Sequence, residues 1–197
     1  MRKNYSKDSE YHSQRNNMVV PYSSCNTTSM VMALKQAGWE VPGGDAQPED
    51  ALSNHLQTDM AYSKQKALAP WSIGAYPPQE VHSILEWGVN DWMDADVDTF
   101  TTKATEDYLF KQLDNGGGVV LSGRFPVSGG ELGHIVSLAG FYSDSRESGW
   151  IIDDPYGAWP VDYRDPHGND IDVSASDFDK IFMKEGHYWA HFIEVAK

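Results

Sequence analysis

Cys25, His134 and Asp154 are the residues whose types and contexts combine into chemistry. Cys25 is the single thiol of the chain and stands just before an apolar segment that reads as a helix. A thiol at a helix N-terminus feels the positive end of the dipole, which favours the thiolate, the form that attacks carbonyl carbon. His134 opens a β-rich run after the glycine-rich stretch Ser128–Gly133, which reads as flexible. Asp154 ends the next β-rich run, before Pro155. The two lie symmetrically about residue 144, at the edge of a turn-forming segment. A hairpin there brings them together within a residue or two of slip. An acid beside an imidazole fixes its orientation and stabilises its protonated form. Asp153 is the competing acid; adjacent strand residues point to opposite faces, so only one of the pair reaches His134.

Each residue has a plainer role when taken singly. A lone cysteine is usually an inert buried thiol, and Asp-Pro usually starts a turn. The order Cys, His, Asp in helix, strand and strand contexts is what makes the joint reading informative.

The elements that must position these groups follow from the rest of the chain. Asn26 to Gly38 reads as a helix, with Thr27, Thr28 and Ser29 as caps or first-turn residues and Gly38 as the stop. Met30 to Leu34 and Ala37 make it apolar on most sides, as in a helix buried at the centre of a domain. Gln47–Asp50 starts a second helix that continues from Ala51 toward Met60. Pro77–Glu80 starts a third, running to Trp87 and stopped by Gly88. Asn90–Asp98 reads as an acidic loop and Ala104–Leu113 as a helix. The period then changes. Val119–Phe125, Ile135–Tyr142 and Trp150–Asp153 read as strands, with Ser143–Gly149 as the turn between the last two. A short helix at Ser176–Met183 and a strand at Tyr188–Val195 complete the chain. Helices first and strands second predict an α+β fold with segregated layers. Residues 1–13 read as a flexible arm and 14–197 as one domain.

Composition narrows the function classes. The chain has 197 residues, 15 basic and 29 acidic side chains, and a formal net charge of −14. An apolar fraction of 40% over that length supports a full core without staples. One cysteine excludes a disulfide framework and any multi-thiolate zinc site. Strong acidity without a Lys/Arg cluster argues against nucleic acid. No run approaches the roughly 20 apolar residues of a membrane span, and residues 1–14 lack the apolar core of a signal peptide. These features predict a soluble monomer, cytoplasmic unless exported or carried in a virion. The acidic groups Asp91, Asp94, Asp96 and Asp98 lack the central glycine and terminal glutamate of a helix–loop–helix calcium site and read as solvated surface; the similar segment Asp165–Asp172 reads as a turn leading into a strand. His187 and His191 differ by four, but their segment reads as a strand, which argues against zinc. The scattered tryptophans, Trp71 and Trp87 among them, favour core packing, and Trp159 is a candidate wall for a substrate cleft.

Three segments together resemble a known family. Ser24-Cys25-Asn26-Thr27-Thr28-Ser29-Met30 with its apolar helix, Gly133-His134-Ile135-Val136-Ser137-Leu138-Ala139-Gly140-Phe141, and Ile151-Ile152-Asp153-Asp154-Pro155-Tyr156-Gly157 are similar to the nucleophile, histidine and acid segments of papain-like cysteine peptidases. The closer likeness is to the branch of bacteriocin-leader-processing (double-glycine) peptidases and their stand-alone bacterial and phage relatives. Many members carry Gly-Pro after the nucleophile; here it is Asn26-Thr27, an asparagine shared by a subset. The resemblance implies a papain-like fold, its N-terminal helical layer and buried nucleophile helix packed on a C-terminal antiparallel sheet. It implies catalysis by Cys25, His134 and Asp154 without metal or cofactor. It also implies an oxyanion donor upstream of the cysteine: Gln14, eleven residues before it, is favoured over Asn17. The expected activity is hydrolysis of a peptide or amide bond through a thioester, on a peptide or a peptidoglycan peptide. An inactive binding module on the same fold and a metal-dependent hydrolase using the acidic loop are the alternatives.

Overall fold

The computed structural model describes residues 1–18, 21–43, 47–56 and 78–197. The expected far end of the second helix at Met60, the expected start of the third at Pro77, and Trp71 lie outside them. The chain builds an antiparallel eight-stranded sheet with helices on both faces, an α+β fold. The strands are β1 (Arg2–Asn4), β2 (Asp98–Ala104), β3 (Gly118–Val127), β4 (Gly130–Ser143), β5 (Ser148–Asp153), β6 (Ile171–Ser174), β7 (Met183–Lys184) and β8 (His187–Ile193). The helices are α1 (Cys25–Gln36), α2 (Pro48–Leu56), α3 (Pro78–Met93), α4 (Glu106–Asp114) and α5 (Ala175–Phe182). The sheet runs β2-β8-β3-β4-β5-β6; β1 pairs with β4 and β7 with β8.

The two faces bury separate cores. On one, Val120, Ile135 and Ile193 of the sheet meet Met30, Val31, Ala33 and Leu34 of α1, Leu52 and Leu56 of α2, and Leu85 and Val89 of α3. On the other, Leu121, Phe125, Val136, Leu138, Trp150 and Ile152 meet Leu109 and Leu113 of α4 and Phe178, Ile181 and Phe182 of α5. Each Val, Leu, Ile, Phe or Met among them, fully buried, contributes roughly 1.5–3 kcal/mol. The expected N-terminal helical layer covers only the first face; the second is covered by helices that come later in the chain.

Helix α1 begins at Cys25, one residue earlier than its periodicity indicates, and is buried from Cys25 to Leu34. Thr27 and Thr28 lie in its first turn, one of the two expected roles, and Ser29 follows them. The Thr27 and Thr28 hydroxyls donate to the Ser24 carbonyl, and the Ser29 hydroxyl donates to the Ile135 carbonyl of β4 at 3.0 Å. Polar residues on an almost wholly buried helix thus bond its own first turn and the sheet beneath it.

Several expectations change. Gly88 does not stop α3, which runs on to Met93. A Cβ at Gly88 would lie 2.0 Å from Leu56 Cδ2, so this glycine marks a close α2–α3 approach, not an end. Ser128–Gly133 is not a flexible stretch. Val127 pairs with Gly130 across a tight hairpin, and β4 is already paired through Glu131, Leu132 and Gly133 before it reaches His134. Residues 1–13, expected as a flexible arm, lie against the domain. At its β3-side edge β4 is paired with β3 only as far as Ser137, and β1 takes the next stretch, Gly140–Tyr142. A Cβ at Gly140 would collide with the Lys3 carbonyl at 2.1 Å, so the glycine admits the strand. Lys3 and Tyr5 reach Asp114 of α4, and Tyr5 packs on Phe141.

The acidic loop dissolves into elements. Asp91 lies in α3 and pairs with His55, while Asp98 opens β2 and is buried. Asp98 Oδ2 accepts from His191 Nδ1 at 2.7 Å, and His191 Nε2 lies 2.9 Å from His82 Nδ1. His191 and His187 both sit on β8, with His187 exposed. Among the described residues no group of three or more could hold a metal ion, and no helix is long and apolar enough to cross a membrane.

Candidate active site

The site forms where the start of α1, the middle of β4 and the end of β5 converge. Cys25 occupies the first turn of α1, where backbone N–H groups have no intrahelical acceptor and the dipole is positive. It is 8% exposed. His134 is buried, and its Nε2 donates to Asp154 Oδ1 at 2.7 Å. The β4–β5 register pairs Ser137 with Asp153. The chain then leaves the strand, so Asp154 reaches His134 from just beyond the ladder rather than directly across it. Asp154 Oδ1 also accepts from the Tyr156 N–H at 2.9 Å. With Nε2 committed to Asp154, Nδ1 is the nitrogen left for Cys25, whose side chain interacts with the ring. Burial works against a charged ring here. The charge and hydrogen bond of Asp154 and the Cys25 contact outweigh it, raising the imidazole to about 10. That environment suits an imidazolium facing a thiolate.

Asp153 points elsewhere. Its carboxylate accepts from the Ser6 hydroxyl at 2.7 Å and the Asp170 N–H at 2.9 Å. Burial, only partly offset by those bonds, pushes it up to about 6.

Gln14 and Asn17 are both buried, with different commitments. Asn17 Nδ2 donates to Ser24 Oγ at 2.8 Å and Thr28 Oγ1 at 3.0 Å, so both of its N–H groups serve the start of α1. Gln14 Nε2 donates once, to the Pro21 carbonyl at 2.8 Å, which leaves one N–H. The Gln14 backbone N–H is fixed by the Pro155 carbonyl at 2.8 Å, which ties this segment to the acid segment.

Four supporting residues carried no sequence signal. The Tyr11 hydroxyl donates to the Asp154 carbonyl and accepts from the Gly168 N–H, clamping the acid's backbone. Arg15 donates to the carbonyls of Tyr156 and Tyr163 and lies 4.3 Å from the Tyr156 ring centroid. Phe125 and Tyr163 meet the His134 ring edge-on, at 5.3 and 6.0 Å between centroids. Trp159 stands behind Phe125 at 5.8 Å, one ring removed from the histidine. Bonds between residues more than 140 positions apart have no spacing to reveal them.

A family model described as the Peptidase_C39 like family matches residues 6–186. No curated protein matches the chain.

Proposed function

The chain belongs to the Peptidase_C39-like family, and from that premise we propose that it is a cysteine peptidase that hydrolyses a peptide or amide bond through Cys25, His134 and Asp154. The observation that carries the reading is the buried 2.7 Å bond between His134 Nε2 and Asp154 Oδ1, with the ring's other nitrogen left for a thiol at a helix N-terminus.

The chemistry follows from the proton inventory. The Cys25 Sγ thiolate attacks the carbonyl carbon, a C–S bond forms, and the carbonyl π pair moves onto oxygen. The Cys25 backbone N–H and the remaining Gln14 Nε2–H hold that oxyanion. The C–N bond breaks as His134 gives its Nδ1 proton to the leaving amine, and a thioester remains. Water then attacks the thioester as His134 takes its proton, and the thiolate departs from the released acid. Asp154 keeps its bond to Nε2–H throughout and stabilises the imidazolium.

The test is the alkylation rate of Cys25 against pH in the wild type and in His134→Ala. A thiolate reactive well below pH 7, and lost in the variant, is the expected result. A simple titration near the ordinary thiol value of about 8.5 in both proteins rejects catalysis and leaves a binding module on this fold.

A further inference from the structure

The second oxygen of the acid points to a further residue. Asp154 Oδ1 has two donors, His134 Nε2 and the Tyr156 N–H, whereas Oδ2 is buried without a partner among the described residues. A buried carboxylate oxygen with no donor is costly, and more so in a charged group. The Tyr163 hydroxyl is likewise shielded from solvent and without a partner among the described residues. After burial itself, Asp154 is the group that acts most strongly on that hydroxyl, through its charge and its side-chain oxygen. Both effects keep the phenol protonated, hence a donor.

The backbone is built to aim this ring inward. Asp162 and Tyr163 both have positive φ, 57° and 58°, a conformation that costs a non-glycine residue about 1 kcal/mol or more. It is held from several sides. Asp162 Oδ1 accepts from the Ser128 N–H at 2.9 Å, the Tyr163 N–H donates to the Ala158 carbonyl at 3.1 Å, and the Tyr163 carbonyl accepts from Arg15 at 2.9 Å. The ring ends edge-on to His134.

We propose that Tyr163 is a positioning residue whose hydroxyl donates to Asp154 Oδ2, fixing the carboxylate so that Oδ1 stays on His134 Nε2. The inference rests on Cys25, His134 and Asp154 acting as proposed above. Losing this donor removes support for the ionised carboxylate, so the ion pair at Cys25 fails at a higher pH.

The experiment is the pH profile of Cys25 alkylation in the wild type, Tyr163→Phe, Asp154→Asn and the double variant. In Tyr163→Phe the acid limb is expected to move up by roughly one pH unit, the size of one charge-assisted hydrogen bond. In the Asp154→Asn background the same change should add nothing. An unmoved acid limb in Tyr163→Phe, or an equal shift with and without the Asp154 charge, overturns the proposal. A second measurement needs no folded Tyr163 variant. The Tyr163 hydroxyl proton, observed by site-labelled NMR, should be protected from exchange in the wild type and exposed in Asp154→Asn; free exchange in the wild type overturns the proposed bond. A wild-type thiol that titrates like free cysteine instead rejects the peptidase reading, and the hydroxyl resonance still decides the Tyr163–Asp154 bond.

Discussion

Asp153 and Asp154 are neighbours in the chain that bond in opposite directions. Asp154 Oδ1 receives His134 Nε2 at 2.7 Å, while Asp153 Oδ2 receives the Ser6 hydroxyl at 2.7 Å. One carboxylate serves the histidine and the other anchors the N-terminal segment. Their substitutions should therefore separate. Asp154→Asn is expected to lower kcat/KM by about 100-fold or more, because the amide can no longer stabilise the imidazolium or fix its tautomer. Asp153→Asn is expected to leave catalysis intact. Steady-state kinetics on a cleavable peptide, with Cys25 alkylation as the substrate-free counterpart, compares the two; equal losses would sink the assignment.

Asp153 makes a stability prediction with a definite sign. Its folded value, about 6, lies above its ordinary 3.8, so the native state holds this proton more tightly than the unfolded chain. That contribution is fully present below about pH 4 and is lost as the pH rises through 6. The loss is worth about 3 kcal/mol. Denaturant unfolding at pH 4 and pH 7 should show a smaller decline over this range in Asp153→Asn than in the wild type.

His82 has the opposite sign. Burial, and then the neighbouring His191, lower it from 6.5 to about 3. The unfolded chain binds this proton first, so its contribution is full above pH 6.5 and is lost as the pH falls toward 3. At pH 4 the expected loss is about 3 kcal/mol. His82→Asn should flatten that limb of the stability curve, at some cost in packing, because the ring stacks on Phe100 at 4.7 Å. An unchanged acid slope would refute the account.

Gln14→Ala should reduce kcat by about 100- to 1,000-fold, the usual effect of losing one oxyanion donor, while Cys25 alkylation is unchanged. Asn17→Ala should instead lower the denaturation midpoint, by about 1–3 kcal/mol in stability, because Ser24 and Thr28 lose their donor. Exchanged phenotypes would reassign the oxyanion donor.

Arg15→Ala should free the segment between Tyr156 and Tyr163, whose carbonyls it holds. The expected result is a roughly tenfold loss of kcat/KM from misplacement of the wall of the site, together with faster proteolytic nicking of residues 156–163. Arg15→Lys should not rescue it, since an ammonium cannot donate along a planar fork and stack on Tyr156 at once. Full rescue by lysine would argue that charge alone matters.

The helix at Cys25, the strands on either side of the Ser143–Gly149 turn, and the α+β order were legible because each rests on local periodicity and turn chemistry. The split between Asp153 and Asp154 was legible in part: neighbouring extended residues point to opposite faces, although Asp154 lies just past the end of β5. What misled were signals with two local meanings. Gly88 reads as a stop, yet it admits Leu56. Ser128–Gly133 reads as a flexible stretch, yet most of it pairs within a hairpin. The acidic run near Asp98 reads as loop because its partner, His191, lies 93 residues away.

The N-terminal segment shows the limit most clearly. A polar start without an apolar run gives no local reason to order. Order comes from backbone groups of β4 left unpaired by β3, and from the Asp154 and Pro155 carbonyls that Tyr11 and Gln14 reach. By itself the sequence determined which residue types can do the chemistry and which elements carry them, because propensity and periodicity act over a few residues. Only the tertiary structure decided how Gln14 and Asn17 divide their N–H groups and which rings, Phe125 and Tyr163, wall the histidine. Those choices depend on distances and unpaired polar atoms between side chains, which exist only once the chain has closed on itself.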